Sequence, residues 1–219
     1  LSVPQRRFVR AVEFRPGTRV IHHAFVMLDP TRQSRRLDAR DVEPGFSGVT
    51  VPPVVESPGG YFLSWQPGRR PVESPPGLAW ALKPGYDLVL QMHLQPSGKV
   101  EAVQPSIGFY FTDQAPTNAP LKISLSSYDI DIPAGATAYE VTDRFVLPAE
   151  ATLLSLLPHA HFLAKTMEGD AILPGGRPVP LLRIGDWDFN WQSDFRLQQP
   201  LTLPAGTELV MRYTYDNSA

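Results

Sequence analysis

Five histidines are the residues of this 219-residue chain best suited to chemistry. All five fall in tight groups. His22 and His23 are adjacent, His93 closes the predicted strand Tyr86–His93, and His159 and His161 form an HxH pair. Residues two apart on a strand share a face, so His159 and His161 can converge on one metal. Adjacent residues point to opposite faces, so His22 and His23 share a metal only at a strand end or a bulge. His93 would then supply a third nitrogen from a neighbouring strand. A single histidine is more often a packed core residue than a ligand; two pairs and a strand-end partner together argue for metal. The chain has no cysteine, and no acidic residue stands inside these motifs. Imidazole alone suits copper or zinc, so spacing by itself points to mononuclear nitrogen-rich sites of either metal.

Other chemistry-bearing residues read as structural. Asp186, Asp188 and Asp194 surround Trp187 and Trp191 and have the look of turn residues. Tyr213 and Tyr215 lie on one face of a strand and read as sheet packing, as does Met211 in the same alternating series with Leu209. Met167, Met27 and Met92 also read as packing. The Arg32, Arg35, Arg36 and Arg40 stretch reads as a solvated loop. No serine nucleophile motif, phosphate-cradling glycine loop or dinucleotide fingerprint is present.

The elements that must position the histidines are strands. Pro and Gly number 24 and 16 and are spread along the chain, which disfavours helices and favours short strands joined by turns. A turn containing Pro and Gly precedes a β-rich run four times: Pro16-Gly17 before Thr18–Val26, Pro84-Gly85 before Tyr86–His93, Pro133-Ala134-Gly135 before Ala136–Val141, and Pro204-Ala205-Gly206 before Thr207–Tyr215. Further strands are predicted over Arg7–Phe14, Ser106–Thr112, Leu121–Ile130, Asp143–Leu147, Thr152–Pro158, Lys165–Leu173, Val179–Ile184 and Ser193–Leu197. That makes about a dozen strands at sandwich-like spacing, and no segment predicts a helix. The loop Thr31–Gly77 is long enough to be functional or self-packed, with Phe46, Tyr61, Phe62 and Trp65 available for packing. The proline-containing segment Ala115–Pro120 separates two strand-rich halves, residues 1–115 and 116–219.

The composition is globular, with 42% hydrophobic and 19% charged residues and a net charge of -2. That charge gives no electrostatic footprint for nucleic acid, and no apolar run is long enough to span a membrane. No signal peptide is visible. Leu1–Gln5 does not resemble a natural start and the chain stops abruptly after Ala219, so both ends read as trimmed.

The sequence around the histidines resembles a known family. Arg10-Ala11-Val12-Glu13-Phe14-Arg15-Pro16-Gly17 and Val20-Ile21-His22-His23 are similar to the opening of bacterial copper type II ascorbate-dependent monooxygenases, relatives of the peptidylglycine α-hydroxylating and dopamine β-monooxygenases. Gln91-Met92-His93 followed by Pro96-Ser97-Gly98, then Pro158-His159-Ala160-His161, also fit. So do Asp188-Phe189-Asn190-Trp191-Gln192, Leu203-Pro204-Ala205-Gly206-Thr207 and Tyr215-Asp216-Asn217-Ser218. The resemblance implies an all-β protein of two tandem jelly-roll sandwiches facing across a cleft. It implies one copper on His22, His23 and His93 that passes an electron, and a catalytic copper on His159 and His161. The co-substrates would be O2, an unknown organic substrate and ascorbate or another one-electron donor. The location would be periplasmic or extracellular. The family's second copper also takes a methionine from a segment beyond Tyr215-Asp216-Asn217-Ser218, and none of Met27, Met92, Met167 and Met211 corresponds to it. Phe162-Leu163-Ala164-Lys165 stands where the family usually has an arginine and a glycine. Two other functions remain open: a non-catalytic subunit of a larger periplasmic assembly, and a copper-binding or electron-transfer module using the first site alone.

Overall fold

A computed structural model of the chain describes residues 3–46, 64–71, 73–118, 120–127 and 129–218. It is an all-β protein; the described residues form twelve strands, all paired antiparallel, and one short helix. The chain divides into two compact units, Leu1–Lys122 and Ile123–Ala219.

The first unit has two three-stranded sheets. One is ordered β4 (Trp80–Leu82), β1 (Arg7–Arg15), β6 (Ser106–Thr112); the other β3 (Ser64–Trp65), β2 (Ile21–Asp29), β5 (Asp87–Leu94). The core takes Val9, Val12 and Phe14 from β1, Ala24, Val26 and Leu28 from β2, Trp65 from β3, and Trp80 and Leu82 from β4. Odd-numbered Val9 and even-numbered Val12 and Phe14 reach the same core because the β1–β6 register shifts between Val9 and Ala11, and a bulge inverts the side-chain alternation. Val9, Ile21, Leu28 and Leu82 are no more than 1% exposed, and burying each is worth about 1.5–3 kcal/mol. Met27 packs with Val89, Phe25 and the loop residue Phe46 in a second cluster, so β2 is covered on both faces.

The second unit has a four-stranded sheet, β10 (Pro178–Ile184), β9 (Ala164–Ile172), β12 (Glu208–Tyr215), β7 (Tyr139–Val146). A two-stranded sheet pairs β11 (Phe195–Leu203) with β8 (Ala151–Leu156). Leu201 and Leu203 of β11 and Leu153 of β8 pack against Ala171, Val179, Leu181 and Leu209 of the larger sheet. A second cluster gathers Met167, Met211, Tyr213, Tyr215 and Trp187. Met167, Met211, Tyr213 and Tyr215 are therefore buried packing residues, as the patterning predicts.

The repeated turns are where the sequence places them, and Gly17, Gly85, Gly135 and Gly206 all have positive φ. At Gly17 the requirement is strict: φ is +70° and a Cβ would lie 2.9 Å from the Gln104 carbonyl oxygen.

Four expectations need correction. Leu121–Ile130 forms no ladder among its described residues; Leu121 is 76% exposed, and the Ser126 N–H donates to the Asp143 carboxylate instead of to a strand. Ala136–Val141 and Asp143–Leu147 are not separate strands; β7 runs through the polar Thr142-Asp143 because β12 pairs with it continuously. The chain does contain a helix, α1 (Gln33–Asp38), seeded by the turn that Asp29 caps. The unit boundary lies at Lys122 rather than near residue 115. The Thr117 and Asn118 N–H groups bond the Gly77 carbonyl at 2.9 and 3.1 Å, and Leu78 bridges Asn118, which ties most of the proline segment to the first unit. In the long loop, Trp65 packs on Phe14 with ring centroids 5.0 Å apart; Tyr61 and Phe62 lie outside the described residues.

Candidate metal centre

The β2–β5 pair creates the first histidine cluster. In its register His23 faces His93 and Ile21 faces Leu94, so His22 is the extra residue of a bulge between Ile21 and His23. The bulge removes the obstacle that adjacency poses, because it turns His22 toward the side His23 occupies. The Gln95 N–H donates to the Val20 carbonyl at 2.7 Å and holds the end of the pair together beyond the bulge.

The ligand atoms of His22, His23 and His93 all lie within 4.8 Å of one another. Among the described residues they form the one group of three or more His, Asp or Glu side chains so closely placed. Nδ1 of His22 and Nδ1 of His23 are 3.2 Å apart. Two nitrogens each about 2.0 Å from one metal at a tetrahedral angle stand about 3.3 Å apart, so this half of the cluster has the spacing of a shared ligand pair. The His93 ring meets His23 edge-on at 4.7 Å and His22 at 5.6 Å between centroids. Burial, and then the neighbouring His93, lower the His22 pKa below the ordinary histidine value. That favours the neutral imidazole, the form with a free lone pair. The donor set is three nitrogens with no carboxylate and no thiolate, which fits copper or zinc.

His159 and His161 are on the connection between β8 and β9, not on a strand. The segment still alternates: Pro158 and Ala160 are buried while His159 and His161 are exposed. The rings meet edge-on with centroids 5.3 Å apart. The structure brings these two imidazoles together without a third His, Asp or Glu among the described residues. Phe189 lies edge-on to His161 at 5.7 Å and tilts against Phe162 at 4.2 Å.

Sequence reasoning missed Gln192 and gave Tyr213 a packing role only. Gln192 is 6% exposed, and its Oε1 is 2.6 Å from Nδ1 of His159. Tyr213 bonds the His159 backbone; burial outweighs that bond and pushes the phenol up to about 12. The signal for Gln192 was the Asp188–Gln192 motif; nothing in the sequence pointed to the Tyr213 contact. The Tyr215–Ser218 motif closes on the same turn, where the Asp216 N–H donates to the Leu163 carbonyl at 2.8 Å. Asp188 is a turn residue, its Oδ1 accepting from the Asn190 N–H at 2.8 Å.

No known family model matches this chain, and no curated protein matches it.

Proposed function

We propose that this chain is a copper protein of the ascorbate-dependent monooxygenase kind. The observation that supports this reading is the convergence of His22, His23 and His93 across a bulge, followed in sequence by a second imidazole pair at His159 and His161. In this reading both units are jelly rolls, each supplying one site, and the protein works outside the cytoplasm. Copper at these sites would supply one-electron transfer at the first cluster and oxygen activation at the second. The protein's own contribution is positional. The β2 bulge presents His22 and His23 together, β5 adds His93, and the HxH turn offers two imidazoles beside the apolar faces of Phe162 and Phe189. The overall reaction converts a substrate C–H bond to C–OH. One oxygen atom of O2 enters the product and the other leaves as water, with two protons and two electrons taken from two one-electron oxidations of ascorbate.

A second reading, a copper-binding or electron-transfer module, is favoured by one observation: only the first cluster assembles three ligating side chains among the described residues. Oxygen uptake separates the two. With copper, ascorbate and a panel of candidate substrates, the enzyme reading predicts substrate-dependent uptake that His159→Ala abolishes. Uptake that never exceeds the background of free copper, in a protein that still binds copper at the first cluster, would establish the module instead.

A further inference from the structure

The HxH turn has no sheet register to fix its imidazoles, since neither His159 nor His161 belongs to a strand. What holds His159 is a buried amide. Nε2 of Gln192 donates to the Phe189 carbonyl at 2.9 Å. A carbonyl only accepts, so this contact identifies which end of the amide is the nitrogen. The other end, Oε1, therefore faces Nδ1 of His159 at 2.6 Å. An amide oxygen also only accepts, so Nδ1 carries a proton, and in the neutral ring Nε2 then carries the lone pair.

The segment that places this amide is itself fixed. The Trp187 N–H donates to the Lys165 carbonyl at 2.8 Å, and the Trp187 ring is buried in the second unit's core. The Asp188 carboxylate accepts from the backbone and side chain of Asn190 at 2.8 and 3.2 Å. The Trp191 N–H donates to the Asp188 carbonyl at 2.9 Å. From the other side Tyr213 of β12 holds the His159 backbone.

We propose that Gln192 is a positioning residue: it locks His159 as the Nδ1–H tautomer, so that Nε2 is the ring nitrogen offered to a metal. The inference rests on reading His159 and His161 as ligands. It assigns to the Asp188–Gln192 segment the role of orienting a ligand from behind, an interaction whose loss typically weakens metal affinity by about 10–100-fold.

Long-range 1H–15N correlation spectra of the metal-free, 15N-labelled full chain read the tautomer directly. The wild type should show His159 protonated at Nδ1. Gln192→Leu, which removes the acceptor, should lose that preference. Gln192→Glu, which keeps an acceptor, should retain it. Cu(I) affinity at the His159–His161 pair should fall by about 10–100-fold in Gln192→Leu and recover in Gln192→Glu. A wild-type His159 protonated at Nε2 overturns the proposal without need of any variant, and so does a tautomer unchanged in a folded Gln192→Leu protein. If the wild-type tautomer is Nδ1–H and responds to Gln192, but Cu(I) never binds the pair, the control of His159 by Gln192 stands and the copper reading of this pair fails.

Discussion

Asp29, at the far end of the strand that carries His22 and His23, should make the first unit acid-sensitive. Its side chain is fully buried. Burial alone would raise its pKa, but hydrogen bonds outweigh it: the Ser34 N–H at 2.7 Å, and the Thr31 hydroxyl and N–H, both at 2.8 Å. The result is a carboxyl lowered from 3.8 to about 2. A folded-state pKa below the unfolded value contributes stability that is complete above the unfolded pKa and is lost as pH falls through the folded one. The window is therefore from pH 3.8 down to about 2. At about 1.4 kcal/mol per pH unit, the shift is worth on the order of 2 kcal/mol. Asp29→Asn removes the charge and leaves one of the three donors facing an amide N–H. It should destabilise the first unit by about 1–2 kcal/mol near neutral pH. The difference from wild type should shrink toward zero as pH falls through the window. Urea titrations read on the NMR signals of β2 and β5 report the first unit alone. A gap between wild type and Asp29→Asn that is the same above pH 4 and near pH 2 would refute the reasoning.

Two other substitutions test the architecture. Met167→Ala empties a fully buried position in the second unit; it should cost that unit about 2–5 kcal/mol in a denaturant melt and leave copper binding at His22, His23 and His93 unchanged. Gly17→Ala places a Cβ 2.9 Å from the Gln104 carbonyl oxygen at φ +70°, and thermal unfolding of the first unit should show a loss of about 1 kcal/mol or more.

The strands were legible because their apolar periodicity and Pro-Gly turns agree; in β12 the alternating Met211, Tyr213 and Tyr215 share one core cluster, while Val210 on the other face is also buried. Leu121–Ile130 misled because its alternating Leu121, Ile123 and Leu125 state a preference for burial without naming a partner, and here β7 answers with a carboxylate rather than a ladder. The helix α1 was invisible because its six residues have no amphipathic period to display; its local signal is Asp29, whose carboxylate accepts from the Thr31 and Ser34 N–H groups just ahead of it and in its first turn. At the first cluster, adjacency of His22 and His23 demanded a bulge or strand end, and the register supplies a bulge. At the second, the HxH spacing suggested a strand, whereas the pair lies on a loop ordered by Gln192 and Tyr213 from distant positions in the chain. Such hydrogen bonds have no sequence period, so only the motif Asp188–Gln192 hinted at them.

The central claim is that His22, His23 and His93 bind one copper ion. Titration of Cu(I) into the full chain against a competing chelator, for wild type and His93→Ala, tests it most directly. The His93 side chain stands exposed at the end of β5, outside the core cluster, so the variant should fold with an unchanged melt. The account predicts one tight site in the wild type that His93→Ala weakens by at least about tenfold, since even losing a partner that only orients a ligand typically costs that much. A folded His93→Ala protein that binds Cu(I) as tightly as wild type, or a wild type that binds none at this cluster, would contradict it.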